Sequence, residues 1–330
     1  MLNRTLRYIG RCSLALVLLF VSCVKNDEAE VCESYVSFVY NYNMAYTDLF
    51  HREVSRVELY LFDRNGVYAG RLKDQASSGT FPAGYKMQLP RGLETGTQFV
   101  AWAGDYAGQC NLSELTPGVS KLADLRLKIK GYEGNEFNGE FDPVWHGSIV
   151  EPTRSIAYQN ETTVVSLTKN TNNIRILLLP STSDFTVDVS DFAFRLTTVN
   201  GEYDYLNSVS GDQEWHYTPF LAQNDPETGG VVVEISTMRL LEDRENRLTI
   251  KYTPEDETIL DEDFTNFLRT VRDKGYPAMG LQEYMDRESD FKMIVYLSEP
   301  EDPEDNAYVS GDITINDWYV REQEEGTERP

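Results

Sequence analysis

The sequence has little of the chemistry that enzymes and metalloproteins use. It contains three histidines, His51, His146 and His216, and none of them has a second histidine at metal-ligand spacing. Trp145-His146 and Trp215-His216 each place a histidine beside a tryptophan, which favours a partly buried structural role. The sequence also lacks a Gly-x-Ser-x-Gly nucleophile elbow and a phosphate-binding loop. We therefore expect a protein that is not an enzyme and that uses no catalytic residues, no cofactor, no metal and no small-molecule substrate.

Positive charge is scarce as well. The chain has 30 lysines and arginines against 54 aspartates and glutamates, which gives a net charge of −24. Such a surface repels phosphate backbones and anionic lipid head groups. The charge balance therefore excludes nucleic acid as a partner and excludes electrostatic attachment to a membrane.

The apolar stretch at residues 14–21 is too short to span a bilayer, and it follows three arginines. This combination is typical of a signal peptide. The stretch ends at Ser22-Cys23, which resembles a bacterial lipobox, in which the cysteine is acylated and becomes the new N-terminus. The alternative is an ordinary signal peptide with an incidental cysteine. We expect residues 1–22 to be removed and Cys23 to carry the lipid (palmitate), and the mature chain then has a net charge of −27.

Residues 23–31 form an acidic tether after the lipid site. Such a run is usually a solvated linker. It also resembles the export signal that sends lipoproteins of Bacteroidota to the outer face of the outer membrane. We therefore expect a lipid-anchored protein of the cell outer membrane that is exposed on the surface.

Cysteine is rare, with four residues in the whole chain. Cys12 leaves with the signal peptide and Cys23 is the lipid site, so Cys32 and Cys110 remain. An even pair in an exported protein predicts a disulfide, and a bond that closes so long a loop stabilises the fold by about 4 kcal/mol. Two free buried thiols are the alternative.

Alternating apolar and polar residues predict β-strands along most of the chain. Val36, Phe38 and Tyr40 alternate with polar neighbours, and residues 57–61 repeat the pattern before the turn sequence at 63–66. Glycine and proline separate the segments, as in a β-sandwich. We predict an N-terminal β-sandwich domain at residues 32–160 and a C-terminal one at 161–330.

One segment follows a helical period instead. At residues 263–274, Phe264, Phe267, Leu268 and Val271 share one helix face, and Gly275 follows as a stop. We predict a helix there as an insertion in the second domain, and a shorter helical turn around Leu281.

Aromatic residues and oxygen-rich loops leave binding functions open. The chain has 20 tyrosines and 4 tryptophans, which suit a carbohydrate-binding surface lipoprotein if some of them line a surface. The loops at residues 224–227 and 301–306 are rich in carboxylates, but neither follows an EF-hand pattern. We therefore expect both loops to be solvated, with calcium binding as the alternative.

Several segments resemble the FimB/Mfa-type fimbrial anchor lipoprotein family of Bacteroidota. They are Cys32-x-x-x-Tyr-Val-x-Phe-x-Tyr-x-Tyr-Asn43-Met44, Asp48-x-Phe50, Val57-x-Leu-Tyr60-Leu61-Phe62-Asp63-x-x-Gly66, residues 167–176, and residues 313–321 ending in Trp318-Tyr-Val320-Arg321. The resemblance implies two transthyretin-like β-sandwich domains in tandem. It also implies a surface lipoprotein for cell adhesion that binds the first shaft subunit, or an accessory subunit, of a fimbrium (pilus) by β-strand addition and limits fimbrial length.

Overall fold

The computed structural model describes residues 33–131, 133–151, 161–182, 184–298 and 309–321. The predicted signal peptide, Cys23 and Cys32 lie outside these ranges. The described part of the chain consists mainly of β-strands with three short α-helices, which confirms the predicted mainly β fold class.

The strands up to residue 169 are β1 (Ser34–Val39), β2 (Arg56–Phe62), β3 (Tyr68–Gln75), β4 (Met87–Gln88), β5 (Gln98–Ala103), β6 (Cys110–Leu112), β7 (Leu127–Ile129), β8 (Glu136–Phe137), β9 (Trp145–Val150) and β10 (Glu161–Lys169). The later strands are β11 (Thr171–Pro180), β12 (Phe192–Thr198), β13 (Glu202–Tyr203), β14 (Trp215–Tyr217), β15 (Leu221–Asp225), β16 (Gly230–Met238), β17 (Arg247–Tyr252), β18 (Glu257–Asp263), β19 (Asp290–Ser298), β20 (Val309–Ile315) and β21 (Trp318–Arg321). The helices are α1 (Phe50–Glu53), α2 (Phe264–Gly275) and α3 (Leu281–Arg287).

The described strands form four sheets. Their strand orders are β3-β2-β5-β9-β10-β1-β4, β15-β16-β11-β19-β20-β21, β18-β17-β12-β14-β8 and β13-β7-β6. In the last two sheets, strands from before and after residue 170 pair with each other: β8 with β14, and β7 with β13. The two parts of the chain are therefore interleaved, and the predicted division at residue 160 stays a prediction.

Asn170 is the point where the chain passes from the seven-stranded sheet to the six-stranded sheet. β10 pairs with β1 and β9, whereas β11 pairs with β16 and β19. Positions 169–173 of the sequence are all polar, but Asn170 alone lies between the two strands. The next three residues instead continue the ladder with β16.

A buried polar network fills this junction. Asn170 and Asn207 exchange side-chain hydrogen bonds of 2.5 and 2.9 Å. The Arg239 guanidinium donates to both oxygens of the Asp286 carboxylate, at 2.6 and 2.8 Å, and to the Asn207 carbonyl at 3.0 Å. The Arg239 backbone N–H donates to the Asn170 carbonyl at 2.8 Å. Because every one of these contacts crosses between elements, the network fixes how β10, β16 and α3 meet.

The strand β2 is buried on both faces. Val57, Leu59 and Leu61 pack in one hydrophobic core, as their alternation predicted, while Tyr60 and Phe62 pack in a second core on the other face. Residues of β6 and β7 belong to this second core, so the three-stranded sheet covers a face that would otherwise be solvated. The alternation in β2 predicted burial of one face only. Burial of the other face was not predicted, because the sheet that covers it forms by pairing of distant strands and leaves no local signal in the sequence.

Both helical predictions are confirmed. α2 begins after Asp263, whose carboxylate accepts a hydrogen bond of 3.0 Å from the Thr265 N–H and so caps the helix. Its apolar face is buried, with Phe264, Phe267, Leu268 and Val271 inside. In α3 the buried residues include Leu281, Tyr284 and Met285.

Candidate functional site

The path of the chain defines two ends of the molecule. Cys23 lies eleven residues before Ser34 in the sequence, and a chain of eleven residues spans at most about 40 Å when fully extended. β1 and β10 run in parallel from this end to the junction at Asn170. The ten-residue strand β11 then carries the chain about 33 Å further. The hairpin turn between β15 and β16 lies beside the last residues of β11, at the end that we call distal.

The edge strands differ in charge. On β3, the exposed residues Arg71, Lys73 and Asp74 place charges along the edge. On β15, the three central residues Ala222, Gln223 and Asn224 are exposed and uncharged. Charged side chains are a common device against strand pairing, so β15 is the less protected edge.

Two further edges are partly covered or acidic. The carbonyl of Tyr319 on β21 accepts a 2.7 Å hydrogen bond from the Lys274 ammonium, so α2 lies along that edge. β18 carries Glu257, Asp261, Glu262 and Asp263 among its seven residues. Within the described ranges, β15 is therefore the edge strand of the six-stranded sheet that combines exposure with absence of charge.

The outer face of the sheet β12-β14-β17 contains a cavity of about 830 Å³. It is lined mainly by polar side chains, and the His216 Nδ1 atom lies 3.0 Å from the Thr197 hydroxyl. Its cations pair with carboxylates: Arg195 with Glu136, Arg247 with Asp261, and Lys251 with Asp256. This face is therefore compensated in charge, and it is not the open hydrophobic groove expected for a donated strand.

Exposed aromatic side chains gather at the C-terminal end of α2. Among the described residues, the aromatic side chains of which more than a third is exposed are Tyr46 (62%), Tyr276 (37%), Trp318 (37%) and Tyr319 (47%). Gly275 is in contact with the Trp318 ring, since a Cβ atom on Gly275 would lie 3.1 Å from it. Trp318 and Tyr319 are neighbours on a strand and face opposite sides, and Tyr319 lines a separate cavity with Tyr296 and Asp312. We call Tyr46, Tyr276 and Trp318 the aromatic surface.

A cavity of about 350 Å³ lies within this surface. Tyr46, Tyr276, Met279 and Glu283 are among its lining residues. The Arg287 guanidinium lies 4.8 Å from the centre of the Tyr46 ring and donates to the Glu283 carboxylate at 2.8 Å. The cavity thus combines two tyrosine rings with one acid, whose charge is compensated by the largely buried Arg287 behind it.

The sequence-predicted site residues lie apart from this surface. Cys110 is buried on β6 as a free thiol, and burial raises its pKa to about 12. Its predicted disulfide partner Cys32 and the predicted lipid site Cys23 lie outside the described residues, so both assignments stay predictions. His146 is buried, and its Nε2 atom lies 3.0 Å from the Tyr205 carbonyl oxygen.

The described part of the chain gives no sign of a metal centre. In those ranges no three His, Cys, Asp or Glu side chains come together so that they could hold an ion. In the loop at 224–227, the Asp225 carboxylate accepts hydrogen bonds from the Glu227 N–H and the Thr228 hydroxyl, so its oxygens serve the turn. The loop at 301–306 lies outside the described residues.

Three comparisons place these features among known proteins. The family model of fimbrillin-A associated anchor proteins Mfa1 and Mfa2 matches residues 29–324. No curated protein matches the chain. A candidate polysaccharide-binding protein from Bacteroides thetaiotaomicron is 32% identical, with a TM-score of 0.78 over 90% of this chain and 100% of the other.

Two other solved structures share the fold. A candidate adhesin from Bacteroides thetaiotaomicron is 27% identical, with a TM-score of 0.74 over 88% of this chain and 98% of the other. The fimbrial anchor protein Mfa2 from Porphyromonas gingivalis is 20% identical, with a TM-score of 0.69 over 88% of this chain and 99% of the other. The fold is therefore shared along nearly the whole length of these proteins.

Proposed function

The chain belongs to the family of fimbrillin-A associated anchor proteins Mfa1 and Mfa2, and we propose that it anchors a fimbrium to the bacterial outer membrane. Its role is that of a fimbrial anchor or adhesin at the cell surface. The family match over residues 29–324 is the observation that carries this proposal, because it spans both parts of the fold.

The membrane attachment that we propose is a lipid on Cys23. In the described ranges, no helix combines the length and the apolar character that crossing a bilayer requires. The net charge of −24 gives no electrostatic attraction to anionic lipids. Stable attachment by lipid needs more than one acyl chain, which an acylated N-terminal cysteine provides.

The shaft contact that we propose is strand addition at β15. A donated strand needs an edge with free main-chain groups and without charges. Ala222 and Gln223 at the centre of the edge strand β15 are exposed and uncharged, while the neighbouring Asn224 side chain accepts a 2.7 Å hydrogen bond from the Val189 N–H. The strand also follows the junction at Asn170 along the chain, whereas the proposed lipid precedes β1. A pulling force would then pass through β16, β11 and the junction at Asn170 to β10.

Paired proline variants test the edge assignment. Ala222→Pro and Ala69→Pro make the same change at exposed alanines on the edges β15 and β3. Proline removes an N–H group and disfavours pairing, so we expect Ala222→Pro to weaken binding of the purified shaft subunit at least tenfold and Ala69→Pro to leave it unchanged. Binding is measured by gel filtration, with melting temperatures showing that both variants fold.

The salt dependence of the complex between the anchor and the shaft subunit distinguishes strand addition from attraction between charges. Main-chain hydrogen bonds and buried apolar groups are little affected by salt, so we expect the complex to persist in molar sodium chloride. A complex that dissociates in salt, or equal binding by both proline variants, would contradict addition at β15.

We also propose that the anchor limits fimbrial length. A single distal edge accepts one donated strand, and the opposite end is held by lipid. Once the edge is filled, no further subunit can add at the base, so the supply of anchors relative to shaft subunits sets the mean length.

Carbohydrate binding is a second candidate function, and one observation favours it. Three of the four exposed aromatic side chains of the described residues, Tyr46, Tyr276 and Trp318, lie close together. The 32% identical relative is described as a candidate polysaccharide-binding protein. We propose that the anchor also holds a carbohydrate of the cell surface or its surroundings, and binding of defined oligosaccharides tests this.

A further inference from the structure

We propose that the aromatic surface is a binding site for a neutral oligosaccharide, with Tyr46 and Tyr276 as the rings on which the sugar stacks. The inference rests on the carbohydrate-binding function proposed above and assigns its residues and its ligand class. No residue of this surface is needed for addition of a strand at β15.

The rings of the aromatic surface lie close together. Exposed aromatic area is unfavourable in water, and most of the aromatic side chains that the structure describes are buried. The exposed ones come from three separate segments: the loop after β1, the residue after α2, and β21. Three segments that expose their rings at one place indicate a surface that contacts something other than water.

The chemistry of the cavity selects the ligand class. A tyrosine ring offers an apolar face to the C–H groups of a sugar ring and a hydroxyl to its oxygens. At the rim, the Glu283 carboxylate can accept hydrogen bonds, which suits the hydroxyl groups of a sugar, while the largely buried Arg287 guanidinium donates to Glu283 and to the backbone around Tyr46. The two charges compensate each other at 2.8 Å, and the rest of the chain is strongly acidic, so an anionic sugar would be repelled.

Tyr46 is held in place before any ligand binds. Its φ angle is +50°, a conformation that is uncommon for a bulky residue. The loop is fixed by hydrogen bonds of 3.2 Å from the Met44 N–H to the Arg287 carbonyl and from the Tyr46 N–H to the Asn43 carbonyl. Packing of the Arg287 guanidinium on the ring, 4.8 Å from its centre, adds to this. A ring that is already ordered loses little entropy on binding.

The size of the site argues for an oligosaccharide and against a protein. A volume of about 350 Å³ is at the low end of the range for small-ligand pockets, about 300–1,000 Å³. A stable protein interface needs about 1,000 Å² or more of well-packed surface, which three partly exposed rings do not supply. Trp318, which contacts Gly275, extends the aromatic surface past the cavity, so the ligand is longer than one sugar ring.

Calorimetry with defined sugars tests the proposal. The full lipoprotein, in a detergent without a sugar head group, is titrated with neutral hexaoses of glucose, mannose and galactose and with a hexamer of galacturonate. We expect at least one neutral hexaose to bind, with quenching of tryptophan fluorescence, and the galacturonate not to bind. Tyr46→Ala and Tyr276→Ala should each weaken the affinity at least about tenfold, as expected for the loss of one stacking contact.

Leu206→Ala is the matched control, because Leu206 is 53% exposed and is not among the residues that line the cavity. It should bind like the wild type, and all variants should keep the wild-type melting temperature. Binding that both tyrosine variants retain would overturn this site and leave carbohydrate binding standing. Failure of every neutral hexaose to bind would overturn the site and the carbohydrate function together, and preference for galacturonate would overturn the ligand class.

Discussion

At the scale of single residues, the buried histidine at the junction carries a pH dependence. Burial lowers the pKa of His146 to about 4; Arg239 lowers it too, while the Tyr205 carbonyl and Asp204 act in the opposite direction. The unfolded imidazole has a pKa near 6.5, so the folded protein holds the histidine neutral where the unfolded chain would protonate it. Stability is therefore complete above about pH 6.5 and falls as the pH decreases toward 4.

We expect this effect to reach about 2 kcal/mol at pH 5. His146→Gln removes the titrating group and keeps a polar side chain. Urea unfolding at pH 7 and pH 5 should show a smaller loss of stability in the variant than in the wild type, since the carboxylates contribute equally to both. An identical pH dependence would show that His146 is not neutral in the fold.

The disulfide is the second prediction at this scale. Cys110 is buried, and its raised pKa makes the thiol a poor nucleophile, so it would react slowly unless its partner lies close. Mass spectrometry of the mature protein under non-reducing conditions should show one peptide pair that links Cys32 to Cys110. Two cysteines that are alkylated without reduction, in protein from an oxidising compartment, would exclude the bond.

At the scale of elements, local signals were sufficient where the structure is local. The helical period of the apolar residues and the stop at Gly275 predicted α2, because helix contacts lie within one turn of the chain. Burial of both faces of β2 could not be predicted, since its second face is covered by β6 and β7 from more than forty residues away. The proximity of Tyr276 to the Tyr46 ring could not be predicted either, because the two residues are far apart in the sequence.

The cap of α2 can be tested separately from its packing. The Asp263 carboxylate accepts hydrogen bonds from the Thr265 N–H at 3.0 Å and from the Asn246 N–H at 3.2 Å. We expect Asp263→Ala to lower the free energy of unfolding by about 1–2 kcal/mol. Asp273→Ala, in the last turn of the same helix, removes an exposed acid near the negative end of the helix dipole and should change it by less than about 0.5 kcal/mol. Equal effects of the two substitutions in urea unfolding would contradict the capping role of Asp263.

At the scale of the whole molecule, the sequence predicted the family and the direction of attachment but not the contact surfaces. The segments around Cys23, residues 32–66 and residues 313–321 were enough to indicate the fimbrial anchor family, and the family match confirms this membership. Which edge is free depends on how β15, β18 and β21 pair and pack, and this is a property of the assembled sheets. The aromatic surface likewise exists only once three distant segments meet.

An anchor must hold lipid at one end and a shaft subunit at the other. Cys23→Ser removes the proposed lipid, and Cys12→Ser makes the same change in the predicted signal peptide and serves as the control. Immunoblots of cells and medium should show intact fimbriae released into the medium by Cys23→Ser and cell-bound fimbriae in Cys12→Ser and the wild type. Fimbriae that remain fully cell-bound in Cys23→Ser would contradict the proposed anchor.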